Sequence, residues 1–401
     1  MRIAVYHNQP PGGARRALHG FCSVLALTHR VDVFTLSTSD QSMLRDADYA
    51  GDVTVLPFAP SRPVRGGFFL NDIRQAQDLQ RLDAANREAA GLIDGGEYDV
   101  ALVDACRFTF APQVLRHLCT PSVYYCHHGP WRTDGLSERA ARSVYENVRH
   151  AAHAPLRNRL ERQVRDLDAE LMRRASALVA NSEYTRGRLR EMYALDAEVC
   201  PPGIAVPPPQ ARIEGGHVLS VGDLVPHKGY DLVVEAVGAI PARRRPPLHI
   251  AGHPGGRTYR ARVEARAADL GVRLVIREAI SDAEIEAEYR GAVAYVYGAR
   301  HEPLGLAPLE AMARSLPVVA VGEGGVRETV VDGVSGYLVR AEPAAMAGRL
   351  DELLLDAGLR GRMGDAGRKI VEERWTREVR TAALESVLAR TAGARQPALA
   401  G

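Results

Sequence analysis

Arg300-His-Glu-Pro-Leu-Gly-Leu-Ala-Pro-Leu-Glu-Ala-Met-Ala313 decides how the rest of the chain is read. Ahead of it runs Ala292 to Tyr297 (AVAYVY), an apolar, β-prone segment that reads as a buried strand. Behind it, Pro308 to Met312 reads as a helix start, with Pro308 suited to the first helical position. The short loop between contains Gly305. A strand that feeds a helix through a glycine-containing loop offers free backbone N–H groups beside a positive dipole end, and phosphate suits such a place. Glu302 sits in the loop and Glu310 is expected in the first helical turn. Two acceptor-only carboxylates flanking an anion cradle suit a phosphate with hydroxyl-rich groups on both sides. The same two residues also admit a plain reading, in which Glu310 answers the helix dipole and Glu302 is solvated.

Working outward, 401 residues suggest two domains of roughly 200 each. A hydrophobic share of 46% and a charged share of 25% are those of a soluble globular protein. A net charge of +2 argues against a dedicated nucleic-acid binder. No apolar run reaches the roughly 20 residues that span a bilayer. The N-terminus, MRIAVYHN, enters a strand pattern directly without a signal-peptide layout, so a cytoplasmic setting is expected. Five cysteines, none in C-x-x-C spacing, argue against a disulfide framework or a structural zinc site. Basic residues are nearly all arginine, and the only lysines are Lys228 and Lys369. A lysine inside a functional-looking loop therefore stands out.

In the first half, strand patterns at Ile3 to His7, Val31 to Leu36, Val53 to Phe58, Val100 to Asp104, Ser122 to Cys126 and Ala177 to Ala180 alternate with helix patterns. Such alternation means a parallel sheet covered by helices on both faces. Cys200-Pro-Pro-Gly-Ile-Ala-Val-Pro-Pro-Pro209 can be neither helix nor central strand, and the domain boundary falls there. The second half repeats the logic from His217 to Val339. The expected architecture is α/β, two Rossmann-like doubly wound domains with ligands at the carboxyl ends of the strands and a cleft between the halves.

Four further loops, each after a strand, are candidates. Pro11-Gly12-Gly13-Ala14 lets the backbone approach a ligand in front of a helix N-terminus, or is an ordinary tight turn. Tyr124-Tyr-Cys-His127-His128 places a histidine just past a buried strand, where it could meet a sugar hydroxyl. The two histidines have no third and fourth partner at metal-ligand spacing, so no metal is expected. Val221-Gly-Asp-Leu-Val-Pro-His-Lys-Gly229 presents Lys228 as a point charge for phosphate. Gly324-Gly325-Val326-Arg327-Glu328 is a pocket rim or a structural helix start. The absence of a G-x-G-x-x-G fingerprint counts against a nicotinamide or flavin enzyme. Arginines from Arg139 to Arg174 alternate with acids. They read as a solvated face with ion pairs, or as a basic surface for anionic lipid with Arg65-Gly-Gly-Phe-Phe-Leu70 as its apolar tip.

The stretch HEPLGLAPLEAMA resembles the Glu-x7-Glu signature of the retaining glycosyltransferases of family 4, which have the GT-B fold. Gly12-Gly13-Ala14, the Tyr-Cys-His127 segment, Lys228-Gly229 and Gly324-Gly325 are similar to segments of the same family, so the resemblance covers most of the chain. It implies an acceptor-side domain over residues 1–203, with a last helix (376–401) returning to it, and a donor domain over 204–375. It implies a nucleoside-diphosphate sugar as donor, a glycan, lipid-linked or small-molecule acceptor, no nucleic acid, and no cofactor or obligatory metal. His127, Lys228 and Glu302 would be catalytic. Gly13, Lys228, Glu302, Leu304, Gly305, Leu306 and Glu310 would bind the donor, with Glu302 on the transferred sugar and Glu310 on the ribose. One departure is Asp223, which stands where the family has an arginine on the diphosphate. Either Asp223 points away, or another arginine such as Arg15 or Arg300 supplies the charge, or turnover is impaired. In the last case the chain would be a nucleotide-sugar-binding partner subunit. A second departure is Ser315, where the family has a helix-ending glycine.

Overall fold

The computed structural model describes all residues except 11, 40, 42–43, 63–67, 128–161, 163–164, 212, 214 and 395–401. His128, residues 65–67 of the phenylalanine-bearing segment and most of the arginine-rich stretch thus lie outside the described residues. The chain forms two compact units, Met1–Gly203 together with Arg377–Gly401, and Ile204–Thr376.

The first unit is built on seven parallel strands: β1 (Arg2–Asn8), β2 (Arg30–Leu36), β3 (Val53–Leu56), β4 (Val100–Cys106), β5 (Ser122–Cys126), β6 (Ala177–Ala180) and β7 (Glu198–Val199). Their order is β3-β2-β1-β4-β5-β6-β7. Both faces are covered, so the inner strands are largely apolar rather than alternating with polar residues. On one face Ile3, Val5, Val33 and Leu102 meet Leu18, Phe21 and Leu25 of the helix Gly13–Leu25, and Leu384, Val387 and Leu388 of the helix Arg377–Gly393. On the other, Ala4, Tyr6, Phe34 and Val103 meet Leu82, Ala89 and Ile93 of the helix Phe68–Asp94. The short edge strand β7 carries no hydrophobic run and was not expected from the sequence.

The second unit is a six-stranded parallel sheet: β8 (His217–Val221), β9 (Leu248–Gly252), β10 (Leu274–Glu278), β11 (Ala292–Tyr297), β12 (Val318–Val321) and β13 (Gly336–Val339), in the order β10-β9-β8-β11-β12-β13. Val218, Ile250, Val296 and Val319 face the helices Tyr230–Ala239, Arg257–Asp269 and Pro343–Leu355. Leu219, Tyr295 and Val318 face the opposite side, with Leu309, Met312 and Trp375. Strand order reverses between β1 and β4 in one sheet and between β8 and β11 in the other. In sheets of this kind ligands bind at the loops that leave the carboxyl ends of such neighbours.

Past β6, Ser182 caps the helix Glu183–Tyr193 by accepting the Thr185 N–H. The proline-rich connector is tied down at Ile204, whose N–H donates to the Trp375 carbonyl at 2.8 Å. In the described part of the arginine-rich stretch, Arg174 pairs with Glu170 at 3.5 Å, as a solvated face would.

One carboxyl group is misplaced for charge. Asp168 is fully buried and accepts the Ala111 N–H at 3.1 Å, while its Oδ2 has no partner among the described residues. Burial pushes its carboxyl up to about 7, and the backbone N–H groups of Ala111 and Phe110 only partly oppose that. An ordinary aspartate titrates near ~3.9, so the unfolded chain gives up this proton first. The folded state therefore loses stability as pH rises from about 4 to about 7, then no further. Asp168→Asn abolishes that loss. Thermal melts of parent and variant across this window are expected to diverge at the acid end in favour of the parent and to converge or cross toward neutrality.

Candidate active site

In the second unit, the loop after β8 and the loop after β11 leave neighbouring strands at the reversal of strand order. They are pressed together backbone to backbone. A Cβ on Gly229 would lie 2.1 Å from the Gly298 carbonyl oxygen, and one on Gly298 would lie 2.5 Å from that of Gly229. Gly229 also has φ +69°, in the left-handed region. This close approach brings Lys228 to Glu302: the ammonium donates to Oε1 at 2.8 Å and to Oε2 at 3.0 Å, across 74 residues of sequence. The two side chains are 17% and 20% exposed, so the pair is largely withdrawn from water yet reachable.

Burial alone would raise the Glu302 carboxyl. The Lys228 ammonium, by charge and by hydrogen bond, with help from His227 and the Tyr297 hydroxyl, holds it below the usual range. Glu302 is thus an acceptor at neutral pH, unsuited to donate a proton. His227 is itself pushed down, by burial and by Lys228.

The backbone of this loop is strained and supported. His301 takes φ +54°, a left-handed conformation that costs a residue with a Cβ roughly 1–2 kcal/mol. Glu302 is held from below by the Gly325 N–H, which donates to its carbonyl at 2.8 Å. A Cβ on Gly325 would lie 2.0 Å from the Pro303 carbonyl oxygen. The Gly324-Gly325 turn is therefore a buttress under Glu302. Leu304 is buried in the core, and Gly305 (φ +86°) precedes the helix Leu306–Met312.

That helix starts two residues earlier than the sequence suggested. Pro308 occupies its third position, not its first, and Glu310 falls beyond the first turn. Proline is tolerated there because the first N–H groups of a helix have no intrahelical acceptor. Glu310 accepts the Tyr289 hydroxyl at 3.4 Å, and Arg314 lies over the Tyr289 ring at 4.4 Å. Ser315, just after this helix, adopts φ +54°.

Asp223 points its carboxylate at His253 and accepts from Nδ1 at 3.0 Å. Of the two arginines suggested as a substitute for the missing one, Arg15 is withdrawn into the first unit and Arg300 lies in an exposed ion pair. Arg15 is 1% exposed and donates to Asp46 at 2.7 Å and to the Leu44 carbonyl at 2.6 Å, against His7. Arg300 pairs with Glu323 at 2.9 Å. Arg277 pairs with Glu288 at 2.7 Å, and Ser281 caps its helix through a capping box with Glu284.

In the first unit, Gly13 opens its helix directly after the β1 loop. His127 follows β5 and is 4% exposed. Its Nε2–H donates to Asp104 Oδ2 at 3.0 Å, leaving Nδ1 as the ring's other nitrogen. Asp104 Oδ1 accepts the Gln9 amide and the Ala105 N–H. Asn181 donates to the His127 carbonyl at 2.8 Å. Reading the sequence missed Asp104, although an acid in the run Val-Ala-Leu-Val-Asp-Ala-Cys was a visible signal.

Among the described residues, one group of metal-ligating side chains lies close together: His217, His249 and Glu288. It sits at the amino ends of β8 and β9, not at the carboxyl ends where Lys228 and Glu302 meet. The two imidazoles stack at 3.9 Å with planes 9° apart. In-plane lone pairs of parallel rings do not converge on one ion about 2.0–2.1 Å from each nitrogen. Glu288 is satisfied instead by His249 at 2.6 Å, His217 at 3.2 Å and Arg277.

Two Rossmann-like units, each a parallel sheet with one reversal of strand order, define the GT-B class of fold. Sucrose-phosphate synthase from Thermosynechococcus elongatus has this architecture, with a TM-score of 0.73 at 18% identity over 98% of this chain and 100% of that one. Residues 11–206 match the model for "Glycosyltransferase Family 4" and residues 211–370 the model for "Glycosyl transferases group 1". A D-inositol 3-phosphate glycosyltransferase of Geodermatophilus obscurus is 31% identical over 69% of this chain and 70% of its own length. A GDP-mannose-dependent α-(1-6)-phosphatidylinositol monomannoside mannosyltransferase of Mycolicibacterium smegmatis is 32% identical over 54% of this chain, which spans 62% of that relative. The chain belongs to the family 4 glycosyltransferases. No described helix is long and apolar enough to cross a membrane.

The ion pair gives a stability test. Because the Glu302 carboxyl is held below its ordinary value, its contribution is present above that value and fades as pH falls through the lowered one. Glu302→Gln leaves a half-buried ammonium without its counter-charge and is expected to cost about 1–3 kcal/mol at neutral pH. The gap between parent and variant in denaturant melts should shrink below about pH 4.

Proposed function

We propose that the chain is a retaining glycosyltransferase that moves a hexosyl group from a nucleoside-diphosphate sugar to a hydroxyl of a glycan, lipid-linked or small-molecule acceptor. The observation that carries this reading is the meeting of Lys228 and Glu302, from two loops, at the strand-order reversal of the second unit.

Lys228 holds three N–H donors and gives two to Glu302, so it has one for a phosphate oxygen. With the backbone N–H groups of Gly305 and Leu306 it stabilises the diphosphate as charge develops there, and fixed donors of this kind do most to lower such barriers. Fixed protein donors at that point make a metal dispensable. Glu302, kept ionised, accepts hydroxyls of the transferred sugar, and Glu310 those of the ribose. His127, its ring fixed by Asp104, offers Nδ1 to the sugar, and Gly13 lets backbone approach the donor. The bond between the anomeric carbon and the phosphate oxygen breaks. The departing phosphate oxygen takes the acceptor hydroxyl's proton, and the acceptor oxygen bonds to the anomeric carbon on the same face.

The relatives' names favour GDP-mannose as donor and an inositol-bearing acceptor. A lipid-linked acceptor would place the protein at a membrane surface, on the cytoplasmic side. Asp223 favours one second reading, a nucleotide-sugar-binding subunit with little turnover. Calorimetry with a turnover assay separates the two, since the subunit binds donor yet transfers nothing and hydrolyses nothing.

In a transfer assay with GDP-mannose and UDP-glucose, Lys228→Ala is expected to lower kcat by about 10²–10³-fold. Glu310→Ala should raise the donor's KM about tenfold with kcat little changed, because ribose contacts bind ground and transition states alike. An α-linked product from an α-donor, read by NMR, tests retention. Variants that transfer sugar as the parent does would remove these role assignments.

A further inference from the structure

The loops after β8 and β9 are knitted into one surface. Gly222 N–H donates to the Ala251 carbonyl at 2.9 Å, and Leu224 N–H to the His253 carbonyl at 3.2 Å. A Cβ on Gly252 would lie 2.1 Å from the Gly222 carbonyl oxygen, and one on Gly255 would lie 1.7 Å from that of Leu224. The Lys228 side chain passes over Gly222, its Cε 3.6 Å from where a Cβ would stand. Asp223, Lys228 and His253 therefore share one patch at the carboxyl end of the sheet.

His253 is 40% and Asp223 47% exposed in their side chains. A carboxylate only accepts, so the 3.0 Å contact fixes the proton on Nδ1 and turns Nε2 to other partners. Four residues on, the helix Arg257–Asp269 begins, with Gly256 at its N-cap, no side-chain cap bond and no acid in its first turn. The other cations of these loops each have a carboxylate partner: Lys228 has Glu302, Arg300 has Glu323, and His301 has Glu323 at 3.3 Å.

We propose that the Asp223–His253 pair is a second, titratable phosphate-binding element of the donor site, in which Asp223 anchors Nδ1–H and a protonated His253 donates Nε2–H to the diphosphate of a nucleotide sugar. The proposal rests on the nucleotide-sugar reading above. Asp223 then does not face the diphosphate but orients and sustains the cation that does. Asp223 pairs with His253 directly, and the charged and titratable groups on the neighbouring elements are His227 and Lys228 in the loop after β8, Glu302 in that after β11, Glu278 at the end of β10, and Arg257 and Arg260 in the first turn of the following helix.

A bound diphosphate raises the imidazole's proton affinity, so binding takes up a proton wherever the unbound ring is neutral and the bound ring charged. Affinity is greatest at acid pH and falls as pH rises, because only the protonated ring brings a charge to the diphosphate. Each phosphorus of a nucleotide sugar carries one ester and the bridging anhydride, and its single strongly acidic oxygen stays ionised throughout, so the ligand contributes no titration of its own.

The test is the affinity of GDP-mannose and of UDP-glucose, by calorimetry between about pH 5.5 and about pH 8.5, for the parent, H253R, H253Q, D223N and H227Q. The parent's Kd for the nucleotide sugar it takes is expected to rise about tenfold across that range. H253R should bind with little pH dependence, H253Q weakly and with little pH dependence, and D223N with its fall moved to lower pH. A thermal midpoint close to the parent's shows each variant folded. A parent Kd flat in pH, or a pH dependence that persists in H253R and vanishes in H227Q, overturns the inference and leaves the glycosyltransferase reading standing. A parent that binds neither nucleotide sugar at any pH overturns that reading itself.

Discussion

An ammonium and a carboxylate meeting at the end of a parallel sheet constrain much of the second unit. Lys228 and Glu302 lie on loops that leave adjacent strands, and they meet only because β8 and β11 are neighbours. Gly229 and Gly298 let the two backbones touch. Gly324 and Gly325 sit under Glu302, and His301 bears the left-handed turn beside it. Four glycines and one strained residue thus converge on a single electrostatic contact. A half-buried pair of this kind contributes little net stability, because desolvation offsets attraction. It presents opposite charges a few ångströms apart at the reversal of strand order.

The first unit applies the same principle to a different pair. Asp104 is fully buried, and its charge is met by His127, Gln9 and the Ala105 N–H. Arg15 is buried no less deeply, between Asp46 and His7. A buried guanidinium survives only with its counter-charge and hydrogen bonds supplied locally. That requirement makes Arg15 a structural cation and removes it from any anion bound at the surface.

Much of this was legible in the sequence, for physical reasons. Parallel strands covered on both faces are continuous apolar runs, and these mark the strands of both sheets. Lys228 stood out in a chain otherwise basic through arginine, and Glu302 lay between a strand and a helix. Other features depend on contacts that spacing does not encode. Pro308 reads as a helix opener, but the left-handed Gly305 starts the helix earlier. Arg15 looks like a surface charge beside a glycine turn until Asp46 is folded against it. The partner of Asp223 is 30 residues away on the next strand's loop, and no local pattern joins them.

A last consequence comes from the scarcity of lysine. The side chain of Lys369 is 74% exposed and only loosely paired with Glu373 at 3.8 Å, whereas Lys228 is covered and clasped by Glu302. Guanidinium groups carry the rest of the basic charge and do not react with acylating reagents under mild conditions. Primary-amine chemistry is thereby confined to the chain terminus and two side chains of very different accessibility. The one amine that matters for the site is the one shielded from covalent modification, and its nucleophilicity is tied to whether the carboxylate beside it lets go.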